Sequence, residues 1–161
     1  MKKIIVATFF FIGFLAYSQN SQAQAQIGGG LVFGFDIGTV GINVRGDIPV
    51  TDEIDVVPGF IYYFESNINI FEVNANGHYN FDAGDTVQPY ALAGLNISHF
   101  SYDTEILGFG IEADGTDVGL NLGGGINFDL GGISAFAEGR LLLGGFEDFS
   151  LTGGVLFPIG N

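Results

Sequence analysis

The chain has 161 residues, of which 18 are acidic and four are Lys or Arg, giving a formal net charge of −14 at pH 7. It contains no cysteine, which excludes a disulfide-bonded scaffold and a lipoprotein anchor. The acidic balance excludes nucleic-acid binding, because such sites need clustered Lys and Arg.

The N-terminal segment, residues 1–25, has the pattern of a secretory signal peptide. A basic start with two lysines precedes the short apolar run Ile4–Ala16, and Ala23-Gln24-Ala25 is a small-x-small cleavage site. A retained membrane helix is the alternative, but the apolar run is too short to span a bilayer comfortably. We therefore expect a single mature domain over residues 26–161.

The next part of the chain predicts five strands in which two kinds of residue alternate. Apolar residues occupy one parity and small or polar residues the other, which is the period of a strand with two different faces. The apolar sets, in chain order, are Ile27, Leu31, Phe33 and Phe35; Val40, Ile42, Val44 and Ile48; Ile54, Val56, Pro58, Phe60, Tyr62 and Phe64; Phe71, Val73, Ala75, Tyr79 and Phe81; and Ala91, Ala93, Leu95 and Ile97. Pro58 indicates a bulge or a local break in pairing.

Three more strands follow in residues 117–157. Leu130-Gly131-Gly132 and Gly145-Phe146-Glu147 join them as turns. The alternation extends over about a dozen residues in a strand, which is long for a soluble protein. With the five earlier strands the count is eight, and the mature sequence contains no helical pattern.

Alternation alone fits a soluble sandwich as well as a membrane barrel. The polar face here is mostly Gly, Asn, Ser and Thr, whereas a water-facing sheet carries many Lys and Glu. Small residues suit the narrow interior of an eight-stranded barrel. We predict an all-β fold, an eight-stranded antiparallel up-and-down transmembrane β-barrel.

The aromatic residues sort by height when the strands are threaded with both termini on the periplasmic side. Those predicted towards the outer rim are Phe35, Phe64, Phe71, Phe100 and Phe149, and those towards the inner rim are Tyr79, Phe81, Phe128 and Phe157. Two aromatic girdles are the interface anchors of a transmembrane barrel. The same threading makes Ser101–Thr116 the one long loop, on the outer surface, where loops often carry function.

These patterns resemble the outer membrane protein β-barrel domain family, the small OmpA/OmpX-like barrels of Gram-negative bacteria. The likeness is carried by Gln88–Gly94, Gly123–Phe128, Glu138-Gly139-Arg140 and Gly153–Phe157. It implies a place in the cell outer membrane, among outer-membrane lipids and lipopolysaccharide, and insertion by the barrel-assembly machinery. Many such barrels end on an aromatic residue, whereas here Phe157 is followed by four more residues.

The first candidate site is a set of charged residues on the polar parity: Arg45, Glu72, Glu138 and Arg140, beside His78 and the asparagines Asn74, Asn76 and Asn80. One interpretation is a gated ion path, and the other is a structural polar core. Buried charges must be paired, and two Arg with two Glu balance in charge, so the structural core is favoured.

The second candidate is His99 with Ser101 and an acid such as Glu112. His and Ser two residues apart on a strand point the same way, as a nucleophile and its base require. The arrangement is similar to the His-x-Ser pattern of outer-membrane lipid A deacylases, although Tyr102 follows the serine where that family carries Asn. A single His-x-Ser also arises by chance, and a rim histidine among headgroups is the simpler interpretation.

The third candidate is the acidic loop with Asp103, Glu105, Glu112, Asp114 and Asp117. Asp114-Gly115-Thr116-Asp117 offers oxygen ligands around a turn, but it lacks the full spacing of a calcium loop. A solvated acidic loop is favoured over a calcium site or a divalent bridge to lipopolysaccharide phosphates.

We expect a monomeric barrel with a filled polar interior and a structural or surface-interaction role through its long outer loop. We expect no enzymatic activity, no cofactor and no bound metal. A narrow ion or small-solute pore, a lipid A-modifying enzyme and a soluble periplasmic lipid-binding barrel with its apolar face inward are the alternatives.

Overall fold

The computed structural model describes residues 24–65, 68–84, 86–106, 109–144 and 146–160. Side chains are described over the same ranges except for residues 102–113. All but the last two residues of the predicted signal peptide lie outside the described residues. Within the described ranges, no helix is long and apolar enough to cross a membrane.

Eight antiparallel strands form a closed barrel, and each strand pairs with its neighbours in sequence while β8 pairs back with β1. The strands are β1 (Gln26–Gly34), β2 (Thr39–Pro49), β3 (Ile54–Glu65), β4 (Ile68–Asn80), β5 (Val87–Ile106), β6 (Phe109–Asp129), β7 (Ser134–Leu143) and β8 (Asp148–Pro158). The predicted fold is confirmed. We call the end with both termini the periplasmic end and the opposite end the outer end, because short turns face the periplasm in such barrels.

Side chains alternate between the outside and the interior of the barrel. On β1, Leu31 is 63% exposed and the next residue, Val32, is 1% exposed. On β4, Val73 is exposed whereas Asn74 and Asn76 are buried. Exposed apolar residues beside buried amides reverse the usual pattern of a soluble protein. The outer surface therefore suits lipid.

The ladder between β2 and β3 is interrupted opposite Pro58. Arg45 pairs with Gly59 and Ile48 pairs with Val56, while the described residues between them have no pair in this ladder. Proline has no N–H to donate. The strand register is the same before and after the interruption, whereas a bulge would shift it by one residue. The break predicted at Pro58 is therefore a gap in pairing.

The segment Ser101–Thr116, predicted as a long loop, is mostly paired strand. β5 and β6 continue as one hairpin until Ile106 pairs with Phe109. The loop prediction is wrong because the acidic residues of this segment alternate with residues that favour strands, namely Tyr102, Thr104, Ile106 and Ile111.

Aromatic side chains occupy both ends of the lipid-facing surface. Phe35 and Phe149 have ring centroids 5.4 Å apart at the outer end, and Tyr79 and Phe81 are 5.2 Å apart at the periplasmic end. Phe100, predicted for the outer girdle, instead packs in the interior. Its position has the same parity as the inward-facing residues of β5, such as Ser98.

Glycines on β6 make room for large rings on β5. Gly125 pairs with Tyr90 and Gly115 with Phe100. A Cβ at Gly125 would lie 2.5 Å from the Tyr90 hydroxyl oxygen, and one at Gly115 would overlap the Phe100 ring. Each ring thus covers the glycine opposite it, an arrangement that also fixes strand register.

We predict that Gly125→Ala lowers the unfolding free energy by about 1–3 kcal/mol. Its methyl group would lie 2.5 Å from both the Tyr90 hydroxyl oxygen and the Ala137 carbonyl oxygen, so the ring and the β7 backbone must shift. Urea-induced unfolding of the refolded barrel in detergent micelles measures the loss. Gly77→Ala is the matched control, since a Cβ at this outward-facing glycine on β4 has only an ordinary contact, 3.8 Å from the Ala93 carbonyl oxygen. Equal losses in the two variants would contradict the packing argument.

Candidate functional site

The barrel interior holds two charged clusters, of which the outer cluster is built on the ion pair between Arg140 of β7 and Glu72 of β4. Arg140 Nη2 donates to Glu72 Oε2 at 2.7 Å, and Nη1 donates to Asn74 Oδ1 at 2.9 Å. Arg140 Nε donates to Ser150 Oγ at 3.3 Å. Glu72 is 0% and Arg140 is 3% exposed. The pair therefore links strands on opposite sides of the barrel through its buried interior.

Asparagines from neighbouring strands complete the outer cluster. Asn96 Nδ2 donates to Glu72 Oε2 at 3.0 Å and to Asn74 Oδ1 at 2.8 Å. Asn121 Nδ2 donates to Asn74 Oδ1 and to Asn76 Oδ1, both at 2.8 Å. Amide groups supply the buried carboxylate with donors without adding a second positive charge.

The periplasmic cluster is built on Arg45 of β2. Its Nη1 donates to Glu138 Oε2 at 2.8 Å, its Nη2 donates to Asp47 Oδ2 at 3.0 Å, and its Nε lies 3.0 Å from Asp47 Oδ1. The Tyr90 hydroxyl donates to the same Glu138 oxygen at 2.8 Å. The guanidinium carbon lies 3.8 Å from the centroid of the Phe136 ring, which adds a cation–π contact.

All four residues of the predicted charged set thus lie inside the barrel, but in two clusters. Glu138 and Arg140, two residues apart on β7, have their closest ion pairs in different clusters. Asp47 was missed, although it shares the parity of Arg45. With Asp47 included, three carboxyl groups pair with two guanidinium groups. The predicted charge balance of two Arg with two Glu therefore leaves out one acidic group.

His78 stacks on Tyr90 at the periplasmic cluster. The ring centroids are 4.3 Å apart and the planes differ by 9°. His78 is 1% exposed, and its Nε2 lies 3.7 Å from Glu138 Oε2, too far for a good hydrogen bond. The imidazole therefore fills space as a flat ring.

Apolar residues close the interior at the outer end. Val32, Ile61, Tyr63 and Ile70 form a buried cluster, and packed against it are Ile37, Ile68 and Phe100. A cavity of about 10 Å³ remains near the two charged clusters, about the space of one water molecule. The described interior is filled. Its outer layer is mainly apolar where the sequence predicted a polar one, with the buried carboxyl group of Asp148 beside Ile37 and Tyr63.

The periplasmic end opens into a larger cavity, which we call the vestibule. Its volume is about 570 Å³, and Asp47, Asp52, Asp55 and Asp129 are among the residues that line it. Asp47 is 4% exposed, whereas Asp52 and Asp129 are exposed at the rim. The vestibule thus ends on the carboxyl group that pairs with Arg45. The sequence analysis did not identify it, because its walls come from the ends of all eight strands and the turns between them, which only the closed barrel brings together.

The second candidate set lies near the outer end. His99 packs against Phe71 with ring centroids 5.0 Å apart and planes tilted by 36°, and its Nδ1 lies 2.9 Å from Thr116 Oγ1. Thr116 is directly opposite His99 in the β5–β6 ladder, so the described contact of the imidazole is with Thr116 and not with Ser101. The side chain of Glu112 lies outside the described residues.

The acidic residues of the third candidate are only partly described. Asp114 is exposed and Asp117 is half-buried, while the side chains of Asp103, Glu105 and Glu112 lie outside the described residues. Among the described residues, no group of three or more His, Cys, Asp or Glu is placed to hold a metal ion.

Comparison with known proteins places this geometry in context. The family model of the outer membrane protein beta-barrel domain matches residues 5–137. No curated protein matches the chain.

Several solved structures share the fold. The N-terminal β-barrel domain of OprF from Pseudomonas aeruginosa is 18% identical, with a TM-score of 0.67 over 86% of this chain and 98% of that one. Neisserial surface protein A is 18% identical, with a TM-score of 0.60 over 84% and 95%. The attachment invasion locus protein Ail of Yersinia pestis is 14% identical, with a TM-score of 0.61 over 84% and 97%.

We predict that Glu72→Gln costs about 3–5 kcal/mol of unfolding free energy, because it removes the carboxylate paired with buried Arg140. Glu138→Gln should cost less, about 1–3 kcal/mol, since Arg45 keeps its pair with Asp47. Urea unfolding of both variants in the same micelles measures the difference. Replacing both members of the first pair, as Glu72→Gln with Arg140→Met, should recover part of the loss. A larger loss for Glu138→Gln would contradict the assignment of partners.

Proposed function

Since the chain belongs to the outer membrane protein β-barrel domain family and lies in the outer membrane, we propose that it is a structural barrel whose β5–β6 hairpin makes contacts at the cell surface. The observation that carries the proposal is the length of this hairpin. β5 and β6 have 20 and 21 residues, whereas the other strands have between 9 and 13.

The hairpin extends beyond both of its neighbours. β4 pairs with β5 only as far as Tyr102, and β7 pairs with β6 only from Leu120 onwards. Within the described residues, one edge of β6 therefore has no partner strand over residues 109–119. A strand edge of this kind offers backbone donors and acceptors to an added strand. An extended polypeptide segment is thus the kind of partner the hairpin fits.

The charge of the hairpin selects among such segments. Residues 101–119 contain five acidic residues and no Lys or Arg. Like charges oppose pairing between two copies of the same edge, which favours a monomer. A basic segment has the complementary charge. The Ail protein of Yersinia pestis has been solved with the heparin analogue sucrose octasulfate; the acidic hairpin here predicts the opposite preference.

The filled interior supports a structural barrel over a pore. An apolar layer closes the outer end, and the two charged clusters occupy the middle of the described interior. A conducting path would require these groups to separate, which leaves buried charges unpaired.

We predict that refolded wild-type protein gives no steady ion conductance in planar lipid bilayers, because the apolar layer and the paired clusters leave no continuous water path. Single-channel recording tests this expectation. A porin of known conductance, reconstituted in the same lipid, is the positive control. Reproducible steps of uniform size from the wild-type protein would support the pore instead.

We predict that the wild-type barrel binds an extended basic peptide of about ten residues with alternating Lys and Val. A counterpart with Glu in place of Lys should not bind. Fluorescence anisotropy of the labelled peptides over barrels in zwitterionic nanodiscs measures both.

Two variants separate the edge from its charge. The first joins Tyr102 to Ala113, a residue pair already opposed in the ladder, through Asn-Gly. It removes residues 109–112 of the unpaired β6 edge together with Asp103, Glu105 and Glu112, so only its difference from the second variant reports the edge. The second, Asp103→Asn with Glu105→Gln and Glu112→Gln, keeps the edge and removes three charges. We expect about tenfold weaker binding for the first and a smaller, salt-sensitive loss for the second. Undiminished binding by the shortened barrel would refute the proposal.

A further inference from the structure

We propose that the turn between β1 and β2, residues 35–38, is a pH-sensitive cap on the outer end of the barrel. We call it the outer cap. It is held closed while the carboxyl group of Asp148 carries a proton, and it opens when this group ionises. The opening moves Ile37 away from the apolar layer, and it does not depend on the role of the β5–β6 hairpin.

Two aspartates fasten the outer cap to β8. The Asp36 N–H donates to Asp148 Oδ1 at 2.9 Å, and the Phe149 N–H donates to Asp36 Oδ2 at 3.0 Å. Beside them, the Phe35 N–H donates to the Phe149 carbonyl oxygen at 2.8 Å. The same turn carries Ile37, which packs against the apolar layer of the interior. The carboxyl group of Asp148 therefore holds the segment that covers this layer.

The second oxygen of the Asp148 carboxyl group lies in apolar surroundings. Asp148 is 2% exposed, and its Oδ2 has no hydrogen-bond partner among the described residues. A Cβ built on Gly34 would lie 3.0 Å from this oxygen, 3.1 Å from Ile37 Cδ1 and 3.2 Å from a ring carbon of Tyr63. Burial of a charge in such surroundings is costly, whereas a protonated carboxyl group is tolerated. This oxygen is thus placed to hold a proton.

The ionisable groups that face Asp148 do not compensate its charge. They are Asp36 of the outer cap, Glu72 of β4 and the phenol of Tyr63 on β3. The guanidinium group of Arg140 on β7 is paired with Glu72. Among the described residues, no ion pair includes Asp148. An ionised Asp148 is therefore a buried charge in the field of two other carboxyl groups.

These surroundings fix the direction of the pH dependence. Asp148 lies on the outer side of the girdle residue Phe149, outside the part of β8 that crosses the lipid. Burial raises the pKa of its carboxyl group and the charges of Glu72 and Asp36 add to this, while hydrogen bonds from the backbone N–H groups of Asp36 and Ile37 oppose it. Closure is thus fully favoured below about pH 4, the pKa of an exposed Asp, and weakens as the pH rises through the raised value.

Hydrogen exchange of the Asp36 amide in refolded wild-type protein, measured by NMR in zwitterionic micelles between pH 4 and pH 8, tests the proposal. We expect its protection factor, which is corrected for the intrinsic rate at each pH, to fall about tenfold as the pH rises. The Ala75 amide in the middle of β4 should keep its protection, because the opening is local. In Asp148→Asn the side-chain oxygen still accepts from Asp36 and no charge forms, so the fall should disappear.

Glu147→Gln is the matched control, since it removes an exposed carboxylate one residue from Asp148 and should keep the tenfold fall. Asp36→Asn removes the neighbouring charge and keeps an acceptor for the Phe149 N–H, so the midpoint of the fall should move to lower pH. This variant decides the question if Asp148→Asn does not refold. A constant protection factor in the wild type, an equal fall at Ala75, an undiminished fall in Asp148→Asn, or a midpoint in Asp36→Asn that is unchanged or higher would each overturn the proposal.

Discussion

The pairing of β8 with β1 is the contact on which the other features of this barrel depend. It runs from Gln26↔Pro158 to Gly34↔Ser150 and leaves no open edge at the seam. Lipid offers no hydrogen-bond partner to a backbone group, so an unclosed sheet is excluded from the bilayer. Glycines occupy much of this seam, where Gly30 faces Gly154 and the backbones approach closely. The apolar outer surface is stable only because this seam closes.

Closure with eight strands also fixes how little room the interior has. A large ring on one strand requires a small residue opposite, as Tyr90 and Gly125 illustrate. The same confinement brings charged side chains together, because a guanidinium group in a dry interior is stable only beside a carboxylate. The hydrogen bond from Tyr90 to Glu138 joins the two effects. In this interior, the packing of the rings and the pairing of the charges therefore depend on the same residues.

The sequence predicted features that depend on a single strand, and it missed those that depend on several. Strand parity placed Arg45 and Arg140 inside, because alternation is a local property. The partner of each arginine depends on the register of other strands, and Arg140 pairs with Glu72 on β4 rather than with Glu138 on its own strand. Phe100 was assigned to the girdle from its height alone, although its parity already pointed inward. The vestibule has no linear signature, since its walls come from the ends of separate strands and the turns between them.

The use of both arginines inside the barrel determines the charge of its two ends. In residues 24–161 every other charged side chain is Asp or Glu, so both ends are acidic. At the outer end this charge repels the phosphates of neighbouring lipids unless divalent cations intervene. A hairpin that carried Lys or Arg would be drawn down onto the headgroups. The acidic β5–β6 hairpin is instead repelled by them, which favours an upright position and keeps its unpaired strand edge accessible in water.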